Sequence, residues 1–322
     1  MRTIRDCNVC VVGGAGFLGS HLVDHLVEDR NCNVVVMDNL VVGQRDWVHP
    51  KATFIHHDIT GSEEYMANVF RGHGIEYVWN VAAYPYIPVS FERPLQVFTV
   101  NATGAIQVIN AAQSAGCKGI LQISSAEIYG SNTSGKLTEK SEISPHSTYG
   151  AAKAAVDYYC QSAWKERQTP VIALRLFNAC ASHESHPYVI PAIISQLAVG
   201  ATVRLGNNSF RDFQDGREAM AMSVELLEKG QFGDVYNMGS EDGIKIFDLA
   251  ELIGRLMGYD KINIEVDPAR VRPWEIWHLQ SDNTKLYSVI GERSRKPLEE
   301  TLKEVIDDFW ANGGRWIWEG RS

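Results

Sequence analysis

Residues 8–19 read Asn8-Val9-Cys10-Val11-Val12-Gly13-Gly14-Ala15-Gly16-Phe17-Leu18-Gly19, an apolar run that breaks on glycines and leads into a helical pattern over 18–28. Strand, glycine-rich turn and helix in that order bring backbone amides to a helix N-terminus, where an anion is stabilised. Gly13 permits the tight turn, Gly16 lets the amides approach a pyrophosphate, and Gly19 allows helix and strand to pack closely. A second apolar run, 34–38, closes on Asp38 nineteen residues after Gly19. A carboxylate there accepts hydrogen bonds from an adenosine ribose diol and repels a 2′-phosphate, which favours NAD over NADP. The plainer alternative is that Asp38 starts a turn with Asn39. Asp58, after the third strand, reads either as an adenine neighbour or as a helix-capping or turn residue ahead of Thr60-Gly61-Ser62.

Outward from this unit the alternation continues. Further strands are predicted at 53–56, 77–81, 120–124 and 171–176, and helices at 63–71, 95–115 and 151–168. Near-continuous apolar strands between helical patterns predict an α/β chain with a Rossmann-type, doubly wound parallel sheet buried on both faces. Beyond 177 the pattern changes to helices at 188–199, 218–229, 246–257 and 298–312, with short strands such as VRLG, DVYNMG and KINIEV. The expected organisation is a cofactor domain over 1–176. A smaller mixed α/β substrate-binding lobe follows over 177–322, some of whose elements return to the main sheet.

Composition narrows the function. The 322 residues are 45% hydrophobic and 21% charged, enough to bury a large core, and carry a net charge of −9. Nucleic-acid backbones are bound by clustered Lys and Arg, which this chain lacks. No apolar run is long enough to span a bilayer, and the charged start leads directly into a strand, so a cytoplasmic protein is expected. Of six cysteines, Cys7 and Cys10 have a metal-like spacing, but positions three apart in a strand face opposite ways. Cys32, Cys117, Cys160 and Cys180 are scattered, so buried thiols and no metal are expected.

Tyr149-Gly150-Ala151-Ala152-Lys153 sets a phenol and an amine four apart, on one face of the helix they begin. A free phenol has a pKa near about 10, and a neighbouring ammonium with a positive nicotinamide lowers it, so that Tyr149 can take a hydroxyl proton. The preceding strand ends in Ser124-Ser125, whose hydroxyls can orient the same oxygen.

With these segments in place, the chain resembles the extended short-chain dehydrogenase/reductase family of NAD-dependent nucleotide-sugar epimerases and dehydratases, in the manner of UDP-glucose 4-epimerases. The matching segments, in order, are VVGGAGFLGSHL, MDNL, HHDIT, WNVAAY, VNATGAIQVINAA, ISSAEIYG, YGAAK, LRLFN, RDF and RPWE. The resemblance implies a catalytic set of Ser125, Tyr149 and Lys153, with Glu127 as a further base. It implies NAD contacts from Gly13, Gly16, Phe17, Leu18, Gly19, Asp38, Asn39, Asp58, Ile59, Val81, Ala82, Ala83, Asn101, Tyr149 and Lys153. It places the nucleotide-diphosphate sugar against Tyr86, Ser125, Asn178, Arg211 and Arg272. Arginine forks suit a buried diphosphate in an acidic protein. Relatives often pair through helices equivalent to 95–115 and 151–168, which implies a homodimer.

All relatives oxidise a sugar carbon, usually C4, to a ketone, and the fate of that ketone defines the enzyme. A 4-epimerase returns hydride to the other face. A dehydratase or decarboxylase adds an elimination that needs another acid and base. Ser125-Ala126-Glu127 stands where the 4,6-dehydratases carry Thr-Asp-Glu, so Ala126 removes the acid and a 4-epimerase is expected. Glu127 keeps the dehydratase or decarboxylase alternative open, sharing the side of Ser125 if the chain stays extended, or else it pairs with a nearby hydroxyl or loop amide. A non-catalytic dinucleotide sensor is disfavoured by the presence of both Tyr149 and Lys153. Two local readings remain. Trp274 and Trp277 pack either on a base or sugar face or in the core. His183 and His186, three apart, suggest a metal less well than a polar loop leading to a helix at Pro187.

Overall fold

The computed structural model describes residues 2–131, 135–271 and 274–318. β1 (Asn8–Val12) passes through the glycine turn into α1 (Phe17–Glu28), followed by β2 (Asn33–Asp38), β3 (Thr53–His56), α2 (Glu63–Gly72) and β4 (Tyr77–Asn80). Two short helices, α3 (Ile87–Glu92) and α4 (Pro94–Phe98), come next. A π-helical turn over Thr99–Gly104 then leads into α5 (Ala105–Ser114). β5 (Gly119–Ser125), α6 (Thr148–Arg167) and β6 (Val171–Leu176) finish the first half. The expected helix over 95–115 is thus present as one continuous run that widens to a π-turn in its middle. At the π-turn the Asn101 side chain holds both backbone groups of Tyr84, accepting from its N–H at 2.6 Å and donating to its carbonyl at 3.0 Å. Such π-turns commonly mark functional positions.

The later elements are β7 (Asn178–Cys180), α7 (Val189–Leu197), β8 (Thr202–Leu205), β9 (Phe210–Asp215), α8 (Gly216–Lys229), β10 (Val235–Met238), β11 (Gly243–Lys245), α9 (Ile246–Leu256), β12 (Asn263–Val266), α10 (Thr284–Ile290) and α11 (Leu298–Ala311). Among the described residues the main sheet has seven strands in the order β10-β6-β5-β4-β1-β2-β3, all parallel. Val11 pairs with Val36 on one side and Trp79 on the other. β10 comes from the second half and extends the sheet beyond β6.

Each face buries its own core, as expected of parallel sheets covered by helices. Val9, Val11, Trp79 and Leu174 pack with α1, α8 and α10, whereas Cys10, Val12, Val78 and Ile120 pack with α2, α5 and α6. Cys7 belongs to the first face and Cys10 to the second. All six cysteines are buried and unpaired. A third core lies where Ile190, Ile193, Leu249, Ile253, Val305 and Phe309 bring α7, α9 and α11 together beside β8 and β9. No described helix is long and apolar enough to cross a membrane.

A buried polar knot ties the sheet to α6. Arg175 of β6 donates to Asp157 of α6 at 2.6 and 3.2 Å, and also to the Tyr129 hydroxyl at 2.9 Å. Tyr129 in turn donates to Asn237 of β10 at 2.6 Å. Both charges are inaccessible, so removing one leaves the other buried and unpaired. Asp157→Ala should lower stability by about 3–5 kcal/mol, read by urea titration. A loss below about 1 kcal/mol would mean that water or a neighbour compensates Arg175.

Candidate active site

The strand order reverses between β1 and β4, and there the carboxyl ends of the strands open a crevice, the usual ligand position of such sheets. A cavity of 1330 Å³ occupies it, walled by residues that follow β1, β2, β4, β5 and β6 and, from the other side, by the segments around α7, β8 and β9.

At the dinucleotide end, Gly13 has φ +83°, and a Cβ there would lie 2.5 Å from the Ala82 nitrogen. At Gly19 a Cβ would stand 2.0 Å from the Gly13 carbonyl oxygen, a backbone atom that cannot step aside. Gly16, the residue before α1, supplies no side-chain cap, and the first turn of α1 carries no acid. Its early N–H groups are thus left for an anion. Asp38 lines the cavity, and its two oxygens accept from the Ala15 amide at 3.0 Å and the Leu40 amide at 2.8 Å, tying the glycine turn to the next one. Burial pushes its carboxyl up, with those amides pulling back. Asp58 likewise lines the cavity while forming a turn. It accepts from the Thr60 amide and hydroxyl and from Asn39 Nδ2 at 2.8 Å, and Ser62 rather than Asp58 caps α2. Phe17, Leu18, Asn39, Ile59, Val81, Ala82 and Ala83 are also in the wall. The cradle fits a dinucleotide: a bare helix start for the pyrophosphate and a buried acid opposite it. Asn101 stands back from the cavity and acts on it through Tyr84.

At the chemical end, Ser147 caps α6 by accepting from the Gly150 amide at 3.0 Å, which fixes the first turn and with it Tyr149. Tyr149 lines the cavity and shares a hydrogen bond with the Ser125 hydroxyl. Lys153, one turn on, lies 5.9 Å from the centre of the Tyr149 ring and donates to the Ile123 carbonyl at 3.0 Å. The expectation that the ammonium lowers the phenol needs correction. Burial wins in the protein by itself, pushing Tyr149 up to about 12 and Lys153 down to about 8, while Ser125 pulls the phenol down and the Glu127 charge pushes it up.

A pH dependence follows in the cofactor-free protein. Between about 8 and the ordinary lysine value near about 10.5, the unfolded chain keeps a proton at position 153 that the folded chain has lost. Stability contributed by this site therefore rises with pH across that window. The difference between wild type and Lys153→Met in urea midpoints at pH 7.5 and 10.5 should show this slope. A difference independent of pH would mean that Lys153 titrates normally.

Extended geometry does not persist past Ser125. The chain turns into a 3-10 helix over Ala126–Tyr129, capped by Ser125, whose hydroxyl accepts from the Glu127 amide at 3.2 Å. Glu127 still reaches the cavity wall. Asn178, on β7, and Tyr86 also line the cavity, and Tyr86 stacks on His186 with 5.3 Å between ring centres. Arg211, on β9, is in the wall but pairs at 3.0 Å with buried Glu275, whose other oxygen accepts from Asn207 at 2.6 Å. Arg272 lies outside the described residues. Trp274 and Trp277 are 75% and 57% exposed, which removes core packing for both rings.

Sequence reasoning missed three contributors. Glu275 sits inside the RPWE segment, and its long-range pairing with Arg211 gave no local signal. Glu184 and Tyr188 were read as part of a polar loop, yet both line the cavity, and Glu184 is 3% exposed. His183 and His186 diverge rather than converge: His183 stacks between His21 and Trp47, and His186 lies against Tyr86 and Tyr188. Among the described residues no group of His, Cys, Asp and Glu gathers as a metal site.

The NAD dependent epimerase/dehydratase family model matches residues 9–239. A UDP-glucose 4-epimerase of Lactobacillus helveticus is 30% identical over 324 residues, covering 94% of this chain and 96% of that protein. A dTDP-D-glucose 4,6-dehydratase of Mus musculus is 28% identical over 321 residues, covering 96% and 90%. Among solved structures, the UDP-glucose 4-epimerase of Thermotoga maritima with UDP-glucose superposes with a TM-score of 0.87 at 27% identity, covering 95% of this chain and 99% of that one.

Proposed function

The chain belongs to the NAD dependent epimerase/dehydratase family, and from that premise we propose that it is a 4-epimerase of nucleotide-diphosphate sugars. It is an enzyme, and its cofactor is NAD. Held at the glycine turn and Asp38, NAD would supply the acceptor and donor of the C4 hydride, and its positive charge would favour the phenolate of Tyr149. Tyr149 takes the C4 hydroxyl proton and gives it back after the ketone has turned over, Ser125 orients the oxygen, and Lys153 supports the phenolate. Arg211, Asn178 and Tyr86 hold the nucleotide sugar. Residues 1–176 serve the cofactor, and 177–322 mainly serve the substrate.

One observation carries the choice of reaction. Ala126 is buried at the head of the turn between Ser125 and Glu127, and its methyl cannot protonate a leaving hydroxyl. Epimerisation needs no such acid. The second reading, a dehydratase or decarboxylase with Glu127 as base, is supported by the influence of Glu127 on Tyr149 and by the dehydratase relatives. Turnover of UDP-glucose and dTDP-glucose in deuterated water separates the two. The C4 epimer without solvent deuterium at C5 is expected, and loss of water or carbon dioxide would reject it. Glu127→Gln should keep most epimerase activity, whereas an elimination would lose it.

We place the enzyme in the cytoplasm, in keeping with its free thiols. We also propose a homodimer that covers Phe91, Leu95, Phe98 and Tyr158, apolar side chains left exposed on α3, α4 and α6, with Leu95 78% exposed. A monomer at micromolar concentration in sedimentation equilibrium would exclude it.

A further inference from the structure

Between β7 and α7 the chain makes a tight polar loop whose centre is Glu184. The loop is anchored from both sides. His183 adopts φ +64°, a left-handed conformation that costs a non-glycine residue about 1–2 kcal/mol. Its ring is held between His21 and Trp47, at 5.0 and 4.7 Å between ring centres. Ser20 Oγ meets His183 Nδ1 at 3.0 Å, and His21 Nε2 donates to the Ser182 carbonyl at 2.9 Å. Helix α1, the one that starts at the glycine turn, thus fixes the residue beside Glu184. Strain kept in this way is a pointer to function.

Glu184 itself is enclosed. One carboxyl oxygen takes the Ala181 amide, and Oε2 is buried without a protein partner, in a residue that lines the cavity. Tyr188 stands within electrostatic reach of both Glu184 and Tyr149, and its ring packs on Tyr86 and His186. The ionisable groups that act on Glu184 are Asp308 of α11, a like charge, together with the Cys180 thiol and the Tyr188 phenol, neither of them cationic. Burial without a compensating cation favours the protonated carboxyl and pushes its pKa up. A neutral carboxylic acid with a free oxygen is a hydrogen-bond donor, whereas an ionised one only accepts.

We propose that Glu184 is a substrate-contacting specificity residue: its carboxyl donates a hydrogen bond to an oxygen of the sugar in the cavity shared with Tyr149. This rests on the proposal that the substrate is a nucleotide sugar. A site built to pair with a sugar oxygen discriminates sharply, because a ligand without that oxygen leaves the donor buried and unpaired.

The test uses NAD-loaded protein and calorimetric affinities for UDP-glucose against UDP, and for dTDP-glucose against dTDP. Glu184→Ala should weaken the preferred sugar nucleotide about ten-fold and leave the parent diphosphate unchanged. Glu184→Gln, whose amide also donates, should stay within about three-fold of wild type. A purely structural role would weaken sugar nucleotide and diphosphate together, and that result overturns the proposal. So does an unchanged ratio in Glu184→Ala, or a wild type that binds each sugar nucleotide no tighter than its diphosphate. Independently, carbon-13 NMR of δ-labelled glutamates, assigned through Glu184→Gln, should show a neutral carboxyl at pH 7, and an ionised one refutes the proposal. Epimerisation assays fail separately. A shifted affinity ratio without C4 epimer sinks the epimerase reading and keeps Glu184, and an epimerase with an unshifted ratio does the reverse.

Discussion

Tyr149→Phe lowers kcat by about 10³-fold while affinities for NAD and for nucleotide diphosphate stay within about two-fold. The substitution removes one oxygen from a ring in the cavity wall, so the helix start capped by Ser147 persists. What is lost is the group that takes and returns the proton, an effect worth about 10²–10⁴-fold for a positioned acid or base. Because Tyr149 is protonated in the resting protein, with its pKa pushed up to about 12, the phenolate forms only with help from its surroundings. Steady-state rates with the preferred sugar nucleotide, alongside NAD affinity by fluorescence quenching, separate this from misfolding. If kcat falls less than ten-fold, another residue moves the proton.

The second large effect is expected at the other end of the crevice. Gly19→Ala places a methyl 2.0 Å from the Gly13 carbonyl oxygen, with the Gly13 carbon and Gly14 Cα each at 2.8 Å. No flexible side chain is available to yield. The turn must open or α1 must retreat from β1, and either movement displaces the amides at the head of α1. NAD affinity should drop more than about 100-fold, equivalent to about 2.7 kcal/mol, with the unliganded fold retaining its secondary structure by circular dichroism. Folded protein with unchanged affinity would show that the glycine turn does not hold the pyrophosphate.

The parts of this site that were legible in the sequence are those in which short-range chemistry dictates geometry. A parallel strand buried on both faces must be an apolar run, so β1 and β6 could be placed to the residue. A turn that must approach an anion needs glycine, and four residues along a helix bring Tyr149 and Lys153 together. Elsewhere the determinants are distant. β9 reads Phe-Arg-Asp-Phe-Gln-Asp, too polar for an apolar strand pattern, because its buried Asp212 is satisfied by Ser240 and Ser281 and its Arg211 by Glu275. The helix expected over 95–115 widens to a π-turn where Asn101 reaches back to Tyr84. Glu184 looked like a loop residue because the contacts that enclose its loop come from α1, Trp47 and α11. Hydrophobic periodicity registers none of these.

Incubating the enzyme with UDP-glucose and dTDP-glucose carrying deuterium at C4, in ordinary water, and locating the label in the product tests the account most directly. Hydride that leaves C4 and returns to the same carbon on its opposite face gives a C4 epimer with its deuterium in place, the predicted result. Label appearing at another carbon or in solvent, or no epimer from either nucleotide sugar, would contradict it.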